Sequence, residues 1–180
     1  MLVRPATQYN GYRFRSRLEA RWAVFFNALH IKYVYEKEGY DLGDAGRYLP
    51  DFWLPAVTLR DALTPGVWAE VKSEYPDKAD EAKYHKLAEK TGRPLVLLCG
   101  AEVDNRSFFQ FGCGWDTDMA FVQCATPSCG HIKVEYGLES SYRTCPKCGK
   151  EADASTNAIK RAIKAARSGR FEHGERPEII

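Results

Sequence analysis

Two carboxylates and one lysine have the residue types and spacing of a divalent-metal site. Asp51 is the single acidic residue in the stretch RYLPDFWLP (47–55), where a carboxylate is costly unless a partner compensates its charge. Glu70 and Lys72 stand two positions apart in VWAEVK (67–72), so on a strand both side chains project from one face. If the two stretches pair, Asp51 approaches Glu70, and two such carboxylates repel unless a cation such as Mg²⁺ or Mn²⁺ lies between them.

A metal ion at that position would polarise a phosphate group and lower the pKa of a bound water. The nearby Lys72 would help to position and deprotonate this water, or would offset the charge of a phosphorane-like transition state. The alternative is structural: Asp51 is then a turn residue, and Glu70 and Lys72 form an ordinary ion pair on a strand surface. Because the motif is short, the elements that surround it must decide between these interpretations.

The segments around the acids predict an α/β domain with a regular order of elements. SRLEARWAVFFNALH (16–30) has apolar residues at helical spacing, and DKADEAKYHKLAEKTG (77–92) is a second predicted helix that ends at Gly92. Alternating or continuous apolar residues predict strands, so the order is helix, three strands, helix and strand. The predicted strands are 31–40, 47–55, 67–72 and 93–100.

The chain resembles the phage-type nucleases of the PD-(D/E)xK superfamily in four segments: YNGYRFRSRLEARWAVFF, YLPDFWLP, VWAEVK and LAEKTGRPLVLLCG. This superfamily includes Holliday-junction resolvases, transposon end-cleaving nucleases and many restriction enzymes. The resemblance covers residues 9–100. It implies a restriction-endonuclease-like αβββαβ core within residues 1–121, with Asp51 and Glu70 as Mg²⁺ ligands and Lys72 as the catalytic lysine.

The resemblance also implies that Glu19, in the first helix, completes the catalytic metal site, as in the resolvase-like and transposase-like branches. Ser16 and Glu19 equally fit the capping box that begins a helix, which gives Glu19 a structural alternative. Arg15 and Arg17 flank this acid, together with Arg21. These arginines are either solvated charges or contacts to DNA phosphates, and we take Arg15 and Arg17 as candidates for DNA binding.

Four cysteines near the C-terminus occur in two closely spaced pairs, as in a zinc ribbon. Each short loop can bring two thiolates to one tetrahedral ion, so residues 122–152 are predicted to hold a structural Zn²⁺. The adjacent His131 could replace a ligand, and unligated cysteines are the alternative. A ribbon of this kind also offers a surface for a protein partner. The predicted ligands are Cys124 and Cys129 in CATPSC, and Cys145 and Cys148 in CPKC.

The segment ASTNAIKRAIKAARSGR (154–170) predicts a helix that contains no acid. A solvated face is the usual alternative for such a run of cations. Beside a zinc ribbon and a nuclease core, contact with the phosphate backbone of DNA is the better interpretation. We assign residues 153–180 to this basic helix and a loose tail. The candidate DNA-binding residues of the helix are Lys160, Arg161, Lys164 and Arg167.

The composition places the chain among ordinary globular proteins. It has 180 residues, of which 44% are hydrophobic and 28% charged, and its net charge of +2 does not by itself indicate nucleic acid. The N-terminal MLVRPATQYN lacks an apolar signal segment and no run is long enough to span a membrane, so we expect a cytoplasmic location, in the host if the chain is phage-encoded. Cysteines stay reduced there, which favours metal binding over disulfides.

Together these features predict a Mg²⁺- or Mn²⁺-dependent endodeoxyribonuclease that hydrolyses phosphodiester bonds in branched or phage DNA. A junction resolvase would need a homodimer to cut two strands symmetrically. The main alternative is a catalytically inactive adaptor that binds DNA, or a protein, through the zinc ribbon. A zinc enzyme is disfavoured, because four protein ligands leave no open coordination position on the metal.

Overall fold

The computed structural model describes residues 7–59, 64–105, 108–111, 119–136 and 144–171, and the predicted tail from residue 172 onward lies outside them. These residues form a mixed α/β protein with several sheets. The helices are α1 (Arg17–Ala28), α2 (Lys78–Thr91) and α3 (Asn157–Ser168), and none of them has both the length and the apolar character of a membrane span. The strands are β1 (Thr7–Tyr9), β2 (Tyr12–Phe14), β3 (Val34–Tyr35), β4 (Tyr40–Asp41), β5 (Arg47–Tyr48), β6 (Phe52–Leu54), β7 (Thr58–Leu59), β8 (Val67–Lys72), β9 (Leu95–Cys99), β10 (Phe108–Phe111), β11 (Met119–Cys124), β12 (Ile132–Tyr136) and β13 (Ala152–Asp153).

The main sheet sets the position of the predicted acids. Its strands follow the order β3, β6, β8, β9, β10, β11, β12 and β7, and β13 pairs with β11. β8 pairs antiparallel with β6 and parallel with β9. The antiparallel register sets Phe52 opposite Ala69, so Asp51 enters β6 beside Glu70. The two stretches that carry Asp51 and Glu70 therefore pair, which is the condition for the two acids to approach each other.

Helices cover both faces of this sheet. Val67, Ala69 and Val71 of β8 belong to the apolar core beneath α1, which also contains the buried side of α3. On the opposite face, Trp68 packs with Tyr84 of α2. The predicted division of β8, with its small apolar residues on one face and its acid and lysine on the other, agrees with this packing.

The two helices that flank the predicted strands begin and end close to the expected residues. The side chain of Ser16 caps α1 by accepting a hydrogen bond from the N–H of Glu19 (3.1 Å). Asp77 caps α2 in the same way through the N–H of Asp80 (2.8 Å). Gly92 ends α2 in a left-handed conformation. Local capping signals therefore predicted both helices.

Two predicted strands are shorter than the sequence indicates. Within 31–40, only β3 pairs in the main sheet, because Glu36 has a φ of +46°, which an extended strand does not allow. Within 47–55, β6 joins the main sheet, whereas β5 pairs with β4 in a separate small sheet. The break between β5 and β6 allows the Tyr48 side chain to reach Glu70.

The region predicted as an appended ribbon and helix shares a sheet and a core with the rest of the protein. β11 crosses the boundary predicted between residues 121 and 122, and it pairs with both β10 and β12. Phe121 packs against Trp22 and Phe25 of α1. α3 also packs on α1 through its apolar side. Strand pairing between distant segments causes this difference, and a local sequence pattern does not report such pairing.

Candidate active site and metal centre

Asp51 and Glu70 meet at the junction of β6 and β8, where both are buried. Asp51 is 2% exposed and Glu70 is 5% exposed. The backbone N–H of Asp51 donates to Oε2 of Glu70 (3.3 Å), and the backbone N–H of Val71 donates to Oδ2 of Asp51 (2.8 Å). The structure therefore places these two predicted acids side by side, and backbone donors fix one oxygen of each.

Two tyrosines that the sequence analysis did not assign hold the carboxylates. The hydroxyl of Tyr48 donates to Oε2 of Glu70 (2.7 Å), and that of Tyr35 donates to Oε2 of Glu19 (2.5 Å). Burial, together with the accepting carboxylate, raises the pKa of each tyrosine, so both remain donors at neutral pH. Nothing in the local sequence identifies either residue, because their roles depend on how the strands pair.

Glu19 takes part in the cap of α1 through its backbone, while its carboxylate lies near the other predicted acids. Its backbone N–H bonds to Ser16, which is one half of a capping box. Its carboxylate does not complete the capping box: Oε2 instead accepts from the backbone N–H of Arg15 (3.1 Å) and from the hydroxyl of Tyr35. Glu19 is 7% exposed, and its charge contributes to a raised pKa of Asp51. It therefore belongs to the same acid cluster as the residues of β6 and β8.

Arg15 lies within this cluster. Its guanidinium contacts Oδ1 of Asp51 (2.5 Å) and Oε1 of Glu36 (2.8 Å). Burial alone would lower the pKa of Arg15, but Asp51, Tyr35 and the further acids raise it, so the group stays ionised. Arg15 thus supplies positive charge at Asp51, where the sequence predicts a metal ion. Contact between this side chain and DNA would require it to leave Asp51.

Burial and mutual repulsion disfavour the ionised forms of the acids in this cluster. Burial, followed by the charges of Glu70 and Glu19, raises the pKa of Asp51 well above its usual range. Burial also raises the pKa of Glu70, against the opposing effects of Tyr48 and Lys72. The oxygens of the three acids are nevertheless not all within 4.8 Å of one another, and among the described residues only a group of cysteines meets that distance. An added cation would relieve the repulsion between the acids.

Lys72 lies at the edge of the cluster. Its Nζ is 3.6 Å from Oε1 of Glu70 and 3.3 Å from Oδ2 of Asp80. Burial lowers the pKa of Lys72, but the charges of Glu70 and Asp80 raise it by more, so the side chain is held as an ammonium group. Asp80, which the sequence analysis did not assign, is itself paired with Lys83 (2.8 Å). The first turn of α2 therefore positions the lysine of the E-x-K motif.

A cleft of about 650 Å³ opens beside the acid cluster, and its walls are rich in positive charge. Arg15 and Lys72 line it and also contact the buried acids, whereas Asp51 and Glu70 do not line it. A ligand that enters the cleft therefore meets cations before it reaches these carboxylates. The charged residues of the lining are Arg15, Arg17, Glu19, Arg21 and Lys72.

The four predicted cysteine ligands converge on one point. Their sulfur atoms all lie within 4.8 Å of one another. The Sγ atoms of Cys124 and Cys148 are 3.4 Å apart, and those of Cys129 and Cys145 are 3.7 Å apart. A tetrahedral zinc site with Zn–S bonds of about 2.3 Å separates its sulfurs by about 3.8 Å. A disulfide would instead require about 2.05 Å. The observed spacing is consistent with metal coordination.

Tight turns in the two cysteine loops produce this arrangement. Gly130 and Gly149 have φ values of +55° and +70°, which glycine adopts without steric cost. The N–H of Gly149 donates to the carbonyl of Cys145 (2.8 Å), closing the second loop. His131, considered above as a replacement ligand, does not belong to the cluster. The backbone therefore directs only the cysteine side chains to the centre.

The four cations predicted on α3 divide into two groups. Lys160, Arg161 and Lys164 are exposed. Arg167 instead donates from Nε to the carbonyl of Val103 (2.8 Å), and its guanidinium is 3.4 Å and 3.6 Å from two acids of the same loop. Arg167 therefore anchors α3 to the loop that follows β9, with much of its charge already offset. The other three remain available to a polyanion.

Comparison with family models, with curated proteins and with solved structures gives no match to this chain. The resemblance to PD-(D/E)xK nucleases therefore depends on the sequence segments quoted above. Independently of that resemblance, the chain is a mixed α/β protein that holds four cysteines within metal-binding distance.

Proposed function

We propose that the chain is a metal-dependent endonuclease that hydrolyses phosphodiester bonds in DNA at a PD-(D/E)xK-type site. The observation that carries this proposal is the burial of Glu19, Asp51 and Glu70 in one cluster beside a cationic cleft. Arg15 and Lys72 offset part of the charge of these acids, a metal ion would offset more of it, and the cleft suits a polyanionic substrate. α1, the adjacent strands β3, β6 and β8, then α2 and β9 follow one another in the chain, with β4, β5 and β7 interspersed, and this order supports assignment to the αβββαβ core of that superfamily.

The donor set of the cluster suits Mg²⁺ or Mn²⁺, because carboxylate oxygens are the hard ligands these ions prefer. Neutral donors fix one oxygen of each acid, and the other oxygen of Glu70, Oε1, lies 3.6 Å from Nζ of Lys72. Because the oxygens of the three acids are not all within 4.8 Å of one another, binding of one ion by all three would require their side chains to move closer together. Oδ1 of Asp51 now contacts Arg15, so a bound cation would take over that contact. When bound, the metal would polarise the phosphate and lower the pKa of a water ligand.

The protein's own groups supply the remaining chemistry. Of the two roles that the sequence left open for Lys72, the surroundings of this residue favour charge stabilisation. Glu70 and Asp80 hold it as an ammonium group, which can offset the charge on the phosphate oxygens but cannot accept a proton. Tyr35 and Tyr48 orient two of the three acids, Glu19 and Glu70, by donating to one oxygen of each, as groups behind the ligands commonly do at metal sites.

The ion at the cysteine cluster is proposed to be a structural Zn²⁺. Four protein thiolates would fill all positions of a tetrahedral ion, so no position is left for a substrate. Cys124 ends β11, which pairs inside the main sheet. The metal would therefore stabilise one end of that sheet. The outer surface of the cysteine loops would stay available to DNA or to a protein partner.

Cleavage of supercoiled plasmid by the purified protein tests the proposed activity. We expect nicked or linear product in Mg²⁺ or Mn²⁺, and none in Ca²⁺ or in a chelator. A panel of linear duplex, flap, replication fork and four-way junction then identifies the preferred substrate. The proposal fails if no member of the panel is cut in either metal by protein that is folded and carries its cysteine-bound ion.

A catalytically inactive DNA-binding adaptor is the second candidate, and the ion pair between Arg15 and Asp51 favours it. A permanent internal cation would stabilise the acids without supporting chemistry. An adaptor should bind DNA equally well in Ca²⁺ and in a chelator of that ion. A nuclease should bind better in Ca²⁺, because a cation at the acids reduces their repulsion of the phosphate.

Replacement of Arg15 by glutamine should make the protein depend more on divalent cations for its stability. Hydrogen bonds to charged groups contribute about 1.5–3 kcal/mol, and partial exposure of Arg15 places its pairing near the lower end of this range. We expect the Tm without metal to fall by roughly 3–6 °C. Addition of Mg²⁺ should then raise the Tm of Arg15→Gln by more than that of wild type. Equal Mg²⁺-induced shifts in calorimetry would contradict competition between Arg15 and a metal.

Combined replacement of Lys160, Arg161 and Lys164 by glutamine should weaken DNA binding and reduce its dependence on salt. Each lost phosphate contact should lower the slope of log K against log salt concentration by about 0.9. The matched variant is Arg167→Gln, which removes an anchored cation of the same helix and should lower the Tm with little change in slope. Fluorescence-anisotropy titrations in Ca²⁺ at several salt concentrations measure the DNA affinity and the salt slope of each variant. An unchanged slope in the triple variant would mean that these side chains are only solvated.

A further inference from the structure

Arg21 differs from the other cations of the cleft, which all have partners within the protein. Arg15 pairs with Asp51, Lys72 contacts two acids, and Arg17 also has a partner. In the described part of the chain, by contrast, Arg21 makes neither an ion pair nor a hydrogen bond, and its Nε is buried. Within the described ranges, Arg21 therefore stands at the wall of the cleft without a protein partner for its guanidinium.

This arrangement is unfavourable unless an acceptor arrives from outside the chain. A buried donor without a partner destabilises the folded state, and more so when it is charged. The nearest acid of the lining, Glu19, already accepts from Tyr35 and from the backbone of Arg15. Arg21 lies four residues after Arg17 on α1, so both side chains project from one side of the helix into the cleft.

We propose that Arg21 binds a backbone phosphate that flanks the scissile phosphate, so that α1 carries a second anion subsite beside the acid cluster. The flanking position rests on the proposed nuclease function. The planar guanidinium can donate two parallel hydrogen bonds to the oxygens of one phosphodiester, which lysine cannot do. The hydroxyls of Ser16 and Ser73 line the same cleft and are suitable additional donors to the strand.

This subsite gives the cleft a direction along the DNA strand. The scissile phosphate would lie at Lys72 and the acids, at the carboxyl end of β8, while the flanking phosphate would lie at the second turn of α1. Two fixed phosphates define the path of one strand across the site. Because neither contact touches a base, the subsite adds affinity without sequence preference.

Binding of a short fluorescein-labelled duplex in Ca²⁺ tests the subsite without requiring cleavage. We expect Arg21→Gln to weaken binding about tenfold and to reduce the salt slope by about 0.9, whereas Arg21→Lys should retain the slope. Lys90→Gln, which removes an exposed cation from the last turn of α2, is the charge-matched control and should behave as wild type. Thermal unfolding of each variant shows whether it is folded.

Neutral methylphosphonate linkages, placed one at a time along the duplex, locate the contact. Wild-type protein should lose affinity at one linkage beside the cleavage position, and Arg21→Gln should lose nothing further there. The subsite is overturned if Arg21→Gln lowers only the Tm and binds with unchanged affinity and slope. If wild type nevertheless cuts DNA, the nuclease function is supported and only the Arg21 subsite is contradicted. If Arg21→Gln weakens binding of a duplex that wild type never cuts, the anion subsite stands and the nuclease function fails.

Discussion

Replacement of Glu70 by glutamine is expected to reduce Mg²⁺-dependent DNA cleavage by about 10³-fold or more. The substitution removes the charge of a proposed metal ligand but keeps the size of the side chain and its ability to accept from Tyr48. Asp51→Asn and Lys72→Ala should have effects of similar size, because each removes either a proposed ligand or the proposed catalytic ammonium group. If the three residues act as a unit, as the proposed mechanism requires, combined substitutions should cost little more than single ones. Initial rates of plasmid nicking provide the measurement, with Glu89→Gln on the exposed side of α2 as the control.

Loss of activity in this variant must be separated from loss of fold. The folded-state pKa of Glu70 is raised, so its ionised form is disfavoured by the fold, and this cost disappears as the pH falls through the folded-state pKa. The neutral amide of Glu70→Gln should therefore melt no lower than wild type at neutral pH without metal. Mg²⁺ should stabilise wild type and should stabilise the variant much less. Cleavage by Glu70→Gln at the wild-type rate would exclude the proposed mechanism.

The parts of the site that could be predicted from sequence depend on local patterns. The period of a strand places Glu70 and Lys72 on one face of β8. The side chain of Ser16 marks the start of α1, because only a short polar residue can accept from the free N–H groups of a helix end. The short spacing within each cysteine pair keeps its two sulfur atoms close together, and the pattern of two such pairs indicates that they share one ion.

The parts that could not be predicted depend on contacts between distant segments. Tyr48 reaches Glu70 only because the chain breaks between β5 and β6, and Arg15 reaches Asp51 across the sheet. Phe121 belongs to the core of α1 because β11 extends the main sheet. Arg167 looks like a free cation in the sequence, but the loop after β9 supplies its acceptor. Periodicity contains no information about which strands are neighbours, so these roles require the fold.

The second large effect is expected at the cysteine cluster, where Cys145→Ser should abolish binding of the proposed zinc ion. Purified wild-type protein should contain one zinc per chain by elemental analysis, and the variant should contain none. A structural zinc contributes about 10–16 kcal/mol in isolated zinc-finger peptides. Here the apolar core also stabilises the region, so we expect a smaller loss, which should still lower the Tm by about 10 °C or more. Cys99→Ser is the control, because this thiol lies in β9 outside the cluster and should leave the zinc content unchanged.

The loss of zinc should also affect the protein beyond the cysteine loops. Cys124 ends β11, β13 pairs beside it, and the cap of α3 at Thr156 contacts Gln123 of the same strand (2.9 Å). Loosening this end of the sheet removes support from α3, which packs on α1. We therefore expect faster amide hydrogen exchange in α3 as well as in the loops of Cys145→Ser. Zinc-free wild-type protein with an unchanged Tm, or four thiols that all react with a thiol reagent in the native state, would rule out a structural metal. Faster exchange confined to the cysteine loops would instead mean that the metal stabilises only the loops, and that α3 is held by α1 alone.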